Sequence, residues 1–586
     1  MSDQNFEKNK NEKGTSRRKF LKAGAIAGGA AVVGLSLGLP SLFKPGENAT
    51  PNTVQMALAA DNPGSSILFG YKPVTRKYYL YATDGIAWLP TDPFGQERRA
   101  MYIYGFAKPT SDPRPLGSTE TPTGPFADLS LTDPNTNHPL MRGKAQLPAP
   151  PIWGVEGDIL EITLFNLGFL YRTDIMDAHT CHLHGVHAPS HYDGIPELSF
   201  GIPMWTGLSP QSDTVTRHSF TYRMYCERPG TYMYHCHVEA SEHVQMGMYG
   251  PMWVYPAQSA GLKNGGAAYN NNLTQFDQEA VVLLSEFDSR WHDQLLDLSA
   301  LTPGAEATLD PTSVFPSADP VIQAFNPVDY KPNFWLLNGR AFPDTVSPGK
   351  YTQGYQPGAL ATPAVDVLTY YPPVTIGPTT YYIPRQPVQT YIRTSVAEKL
   401  LVRLTNMGFQ YQPEHFHGVM PAIVGKDTFA WVPQPNSMFS TTTDQRRRIF
   451  TQGIFSGETY DMIAAYPDKA AISPSIYGPI LNNPQPNPFA TWETTWGPIL
   501  NTLDPNGLGY TLPNVPTSEA SDDSTPVITV PGLNSGYPLF YLWHSHDDYR
   551  VTNNGAYPGG AIALIRVDPQ GATSAKPAIP ANLIIA

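Results

Sequence analysis

One strand-like phrase occurs twice in this chain, and each time it leads into a pair of histidines. Residues 157–164 alternate, with Leu160, Ile162 and Leu164 on one face; residues 399–405 do the same with Leu400, Val402 and Leu404. A period of two sends successive side chains to opposite faces, which marks half-buried β-strands. Each strand closes on a similar phrase, Asn166-Leu167-Gly168-Phe169 and Asn406-Met407-Gly408-Phe409. A histidine phrase follows each: His182-Leu183-His184-Gly185 and His415-Phe416-His417-Gly418. A second one ends each half, Tyr234-His235-Cys236-His237 and Trp543-His544-Ser545-His546, before a glycine-rich turn and an apolar strand.

The repeat predicts an all-β chain of two tandem Greek-key β-sandwiches, at about residues 61–258 and 276–570. The 60 prolines suit short strands and ordered loops better than long helices. Residues 261–272, rich in Gly and Asn, read as a linker. The second copy carries an insertion at about 468–530, dense in Pro, Asn, Ser and Thr, read as a surface excursion. A net charge of −12 argues against nucleic acid as a partner, because phosphate binding needs basic patches.

Residues 1–59 read as an export signal and leader. Ser16-Arg17-Arg18-Lys19-Phe20-Leu21-Lys22 has the form of a twin-arginine signal, followed by an apolar run to Leu39 and a small-residue cleavage site at Ala57-Leu58-Ala59. The expected location is periplasmic, cell-surface or extracellular; the alternative is an uncleaved membrane anchor. Three cysteines, Cys181, Cys226 and Cys236, are too few for a disulfide scaffold. Whether Cys181 and Cys226 pair is open at this stage.

Of the 15 histidines, most fall in these short clusters. Two histidines spaced i, i+2 on a strand project side by side, so each pair offers adjacent imidazoles to metal. Neutral imidazole suits copper, and no carboxylates recur among the pairs as a hard-metal site would need. The most specific cluster surrounds Cys236. His235 and His237 flank the thiol, His243 and Met248 follow it, and His179 precedes the His182/His184 pair. A thiolate, two imidazoles and a thioether are the ligands of a blue-copper electron-transfer site.

On these motifs the chain resembles the multicopper oxidases, the family of laccases, ceruloplasmin and bacterial metal oxidases. The resemblance implies cupredoxin-like domains and four coppers per functional unit. It assigns His179, Cys236, His243 and Met248 to a type 1 copper. His182 and His415 would hold a type 2 copper, and His184, His235, His237, His417, His544 and His546 a type 3 pair. Cys236, His235 and His237 would carry electrons from the first site to the cluster. The implied activity is one-electron oxidation of a donor coupled to four-electron reduction of O2 to water. Candidate donors are phenols, aromatic amines, Mn(II), Fe(II) and Cu(I). The resemblance also implies a homotrimer, in which the ring of six domains places each cluster between chains.

The cysteine half precedes the other half here, and the spacing from Cys236 to His243 is two residues longer than the common form. Met246 rivals Met248 as axial ligand; the distance from His243 favours Met248. Glu239 and Glu242, within the lengthened loop, are candidate docking carboxylates for a cation. His138, His187, His191, His218 and His292 read as structural or surface residues, with His187 a candidate support for the metal loop. Two other classes compete: a copper nitrite reductase, which needs only three histidines for its second site, and a non-catalytic copper-binding protein.

Overall fold

A computed structural model describes residues 71–467 and 539–570, apart from 94, 115, 207–216, 258–265, 304, 307–308, 310–326, 347–369, 389, 436–438 and 569. The signal, the leader and the insertion at 468–530 lie outside the described residues. No helix among the described residues is long and apolar enough to cross a membrane.

The first sandwich has two four-stranded sheets. One runs Arg98–Ala107, Thr75–Pro90, Ile159–Asn166, Ser219–Tyr225 in spatial order; the other runs Ile152–Val155, Tyr249–Tyr255, Gly230–His235, His182–His184. The second sandwich repeats the plan. Its sheets run Phe334–Leu337, Gln278–Phe287, Lys399–Asn406, Thr459–Ala465, Ala422–Lys426 onward, and Ile392–Ser395, Ile562–Asp568, Leu539–Ser545, Gln412–Phe416, Thr451–Ile454. Over the described residues the chain is thus all-β, two Greek-key-like sandwiches in tandem. Parallel pairs fall at matching places: Thr75–Pro90 with Ile159–Asn166, and Gln278–Phe287 with Lys399–Asn406.

The alternating residues do what their period demands. Leu160, Ile162 and Leu164 lie in the core of the first sandwich, and Leu400, Val402 and Leu404 in that of the second. Each buried side chain of this size stabilises the fold by roughly 1.5–3 kcal/mol. The phrase that ends each strand also has a physical function. Asn166 Nδ2 donates to the carbonyls of Asp177 and Ile202, and its Oδ1 accepts from Gly168 N. Asn406 does the same with the carbonyls of Gln410 and Ile454 and with Gly408 N. A buried carboxylate then holds the following turn: Asp84 accepts from Leu170 N and Tyr171 N, and Glu286 from Phe409 N and Gln410 N. Each Asn–acid pair anchors the loop that leads into the first histidine pair.

The join departs from expectation. Its described part is no free linker: Gly266–Ala267 pairs with Gln275–Phe276, and Tyr269 is buried. Asn270 Nδ2 donates to Glu156 Oε2 at 2.6 Å in the first sandwich, and Tyr269 OH to Asp461 Oδ2 at 2.6 Å in the second. Asp461 also accepts from Thr231 Oγ1 and from Arg403, whose guanidinium, wholly buried, pairs with Glu279 as well. Glycine and asparagine in the sequence signalled turn geometry; the side-chain anchors come from partners more than a hundred residues away, which local composition does not reveal.

Candidate metal centres

Strand ends deliver the ligand candidates of the first centre. Cys236 follows the Gly230–His235 strand, His179 precedes His182–His184, and His243 ends the helical turn Ala240–His243. All three are buried, and their donor atoms lie within 4.8 Å of one another. Cys236 Sγ stands 3.3 Å from His243 Nδ1 and 3.9 Å from His179 Nδ1. Thr180 N donates to the same sulfur at 3.4 Å. Burial and the neighbouring His243 hold His179 well below the usual imidazole range, so its ring is neutral and has a lone pair for metal. Burial opposes charge on His243, but Cys236 and Asp177 outweigh it and lift that ring to about 10. A sulfur donor and two ring nitrogens aimed at it, with no carboxylate among these three residues, fit copper.

Met248 and Met246 are both fully buried, and their backbones differ. Met248 N donates to His243 O and Met248 O accepts from Cys236 N, each at 3.0 Å. Met246 O instead accepts from Tyr104 N on the neighbouring sheet. Gly247 between them has φ +113, and a Cβ there would lie 2.9 Å from Tyr104 O. Only glycine fits this close approach.

The other eight histidines form two quartets. His182 and His184 share a face of their strand, and His182 stands opposite His235 in register. Ring centroids put His182 5.1 Å from His235, 5.2 Å from His237 and 5.8 Å from His184. In the second sandwich His415 stands opposite His544; it lies 4.9 Å from His417, 5.6 Å from His544 and 5.1 Å from His546. Carbonyls orient corresponding rings alike. His182 Nδ1 faces Asp193 O at 2.7 Å and His415 Nδ1 faces Phe450 O at 2.9 Å. His235 Nδ1 faces Cys236 O, and His544 Nδ1 faces Ser545 O. Such bonds fix the tautomer and leave Nε2 free for metal. Among the described residues no ring contact joins the quartets, and His417 and His546 are exposed.

The sequence reading missed Asp177. Its Oδ2 lies 3.4 Å from His243 Nε2, and Asp177, Glu242 and His243 form a second close group. Its position two residues before His179 was the available signal. Of the two glutamates, Glu239 is exposed, whereas Glu242 is half-buried with Tyr104 OH 3.3 Å away. Burial raises Glu242 above the ordinary carboxylate range, with Asp177 and Glu239 adding to the effect against an opposing pull from His243. His187 is exposed and pairs with Glu227 at 2.8 Å. Cys181 and Cys226 are free, buried thiols. His292 is a core residue, with Nδ1 2.6 Å from Tyr102 O.

Residues 130–259, which carry His179, Cys236, His243 and Met248, match the family model described as multicopper oxidase. This stretch is similar to multicopper oxidase domains. The chain is also similar to copper resistance protein A of Pseudomonas syringae pv. tomato, 29% identical over 148 residues, which are 25% of this chain and 18% of that protein. A homolog from strain DC3000 is 32% identical over 106 residues, 18% of this chain and 15% of that one. The chain thus spans less than a fifth of the length of these relatives. Among solved structures it is similar to the blue copper oxidase of Nitrosomonas europaea, with TM-score 0.42, 17% identity and coverage of 84% and 86% of the two chains. The matched stretch holds His179, Cys236, His243, Met248 and the first histidine quartet, and the second quartet lies in the second sandwich.

Proposed function

We propose that the protein is a multicopper oxidase, taking single electrons from a donor at a type 1 site and delivering four to O2 at a trinuclear site. The observation that carries this reading is Cys236, converging with His179 and His243 while its two sequence neighbours, His235 and His237, belong to a histidine quartet. Bound copper would supply the one-electron redox chemistry and the reduction of O2. His179, Cys236, His243 and Met248 would hold the type 1 ion. His182 and His415 would hold type 2; His184, His235, His237, His417, His544 and His546 would hold the type 3 pair. The peptide bonds on either side of Cys236 then provide a covalent route between the centres.

Among the described residues no ring contact joins the two quartets, and the second is partly exposed. This supports a homotrimer in which the first quartet of one protomer meets the second quartet of its partner. Eight histidines favour this reading over a nitrite reductase, which needs three. The twin-arginine phrase supports export to the periplasm or beyond.

Phenols, aromatic amines and the ions Mn(II), Fe(II) and Cu(I) are the candidate donors. The Asp177–Glu242 pair beside His243 favours a cation at that edge, and the name of the curated relatives puts Cu(I) among those to try first. The deciding experiment measures O2 uptake with each donor on copper-loaded protein, alongside absorbance at the ultraviolet edge of the visible. No O2 uptake with any donor would leave a non-catalytic copper protein. Uptake without the near-ultraviolet band would exclude a bridged copper pair.

A further inference from the structure

Thr180 lies in the stretch that joins His179 to the His182/His184 pair, and it is wholly buried. Its amide and its hydroxyl both meet the Cys236–His237 dipeptide. The N–H donates to Cys236 Sγ at 3.4 Å, and Oγ1 accepts from His237 N at 3.0 Å. One residue thus touches the sulfur of the thiolate centre and the backbone of a histidine in the first quartet.

A backbone N–H taken from water needs an acceptor wherever it occurs, so the bond from His237 alone would be ordinary. The second sandwich shows what is added in the first. Pro413 precedes His415 by two residues, as Thr180 precedes His182, and Ser545 follows His544 as Cys236 follows His235. There His546 N donates to Pro413 O at 2.7 Å. The last histidine of each quartet is therefore anchored in both halves. Proline, however, has no N–H to give, and Ser545 Oγ is buried with no hydrogen-bond partner among the described residues. Of these two equivalent positions, the one beside the thiolate carries a donor to it.

A hydrogen bond to a thiolate draws electron density from the sulfur and favours Cu(I) over Cu(II), and such bonds are one control on a blue-copper potential. The covalent path from Cys236 Sγ through its own backbone to His237 N contains no hydrogen bond. That path, and not Thr180, is the better conductor. What Thr180 controls is the two ends of it.

We propose that Thr180 is a positioning residue for electron transfer between the centres: its N–H raises the type 1 potential, and its hydroxyl holds the His237 end of the path. The inference rests on the oxidase reading above. In the step it serves, one electron passes from type 1 Cu(I), which becomes Cu(II), to a type 3 Cu(II), which becomes Cu(I).

Variants of the copper-loaded protein separate the two bonds. Thr180→Val keeps the N–H and the β-branched shape but loses the acceptor. After flash reduction of the type 1 copper under argon, the blue band recovers as the electron moves on. This recovery should be about tenfold slower in Thr180→Val, and Thr180→Ser, which keeps the hydroxyl, should restore it. Thr180→Pro removes the N–H, and Pro413 shows that the scaffold accepts proline at the equivalent place. At a fixed ratio of ferricyanide to ferrocyanide, its ratio of oxidised to reduced blue copper should rise about tenfold, a fall of about 59 mV for a one-electron couple. The wild type gives a second reading of the same bond: exchange into D2O should shift its Cu–S stretching bands in resonance Raman spectra. Wild-type recovery in Thr180→Val, slow recovery that Thr180→Ser does not restore, a ratio unmoved by Thr180→Pro, or bands unmoved by D2O each overturns the proposal and leaves the oxidase reading intact. Copper-loaded wild type without a blue band overturns the oxidase reading and this inference with it.

Discussion

Ser545 occupies in the second sandwich the place that Cys236 holds in the first. Each follows the last histidine of its strand, accepts that ring's Nδ1 contact on its own carbonyl, and donates its backbone N–H to the turn before the next strand, to Met248 O and Ala561 O respectively. Three residues before the neighbouring histidine pair, Gln412 replaces His179 and bonds to Glu286. The second sandwich therefore keeps the scaffold of a thiolate centre without its ligands. Serine already sits in this geometry, so Cys236→Ser should fold normally. It should lose the intense visible absorption and all O2 uptake; circular dichroism and visible spectra of the copper-loaded variant check both.

Met248 is tied by its backbone to both His243 and Cys236, and Met246 to neither side chain's strand end. Met248→Leu should raise the type 1 reduction potential, since a thioether donor lowers it. Met246→Leu should leave it nearly unchanged. Redox titration of the blue band compares the two, and the reverse pattern would make Met246 the axial ligand.

If the quartets meet between protomers, two inactive variants can repair one another. His237→Ala and His544→Ala are each expected to be inactive. After dissociation and reassembly of a mixture, some interfaces would unite an intact first quartet with an intact second one and O2 uptake would return. A native mass equal to one chain, or no recovery, would place the cluster elsewhere.

His292 gives the fold an acid-sensitive point. Burial, partly offset by its bond to Tyr102 O, lowers the ring to about 4. Protonation is therefore easier in the unfolded chain, near pH 6.5. The stability this residue contributes is complete above that value and is lost as pH falls through about 4. The swing amounts to about 3 kcal/mol. Urea unfolding of wild type and His292→Gln at pH 7 and pH 4 should show the variant losing less stability on acidification.

Arg403 lies wholly buried between Glu279 and Asp461. Removing it leaves two carboxylates without their counter-charge, and Arg403→Ala should cost about 3–5 kcal/mol. Chemical denaturation measures the loss; a change under 1 kcal/mol would mean that the acids find other partners.

The sandwich strands and the histidine pairs were readable because both are local patterns. Leu160, Ile162 and Leu164 announce their face by period, and His182 and His184 share a face for the same reason. Two residues that the sequence set aside or overlooked are set by distant contacts. Asp177 reaches His243 across 66 positions and His292 reaches Tyr102 across 190. The anchoring of the Asn phrases by Asp84 and Glu286 also escaped notice. Their repetition was visible only once strand pairing put each acid beside its loop. Glu239 and Glu242 look equivalent in sequence, and a single turn of helix separates an exposed carboxylate from a half-buried one.

The bonds of Tyr269 and Asn270 to both sandwiches have a dynamic consequence. Among the described residues the join is clamped on each side, which opposes a swing of one lobe against the other. If the chain is the oxidase proposed above, a donor at the His243 edge would find its path to the acceptor already laid, with no clamshell motion to wait for. Turnover would then be paced by encounter and electron transfer, in the manner of a fixed wire rather than a gate.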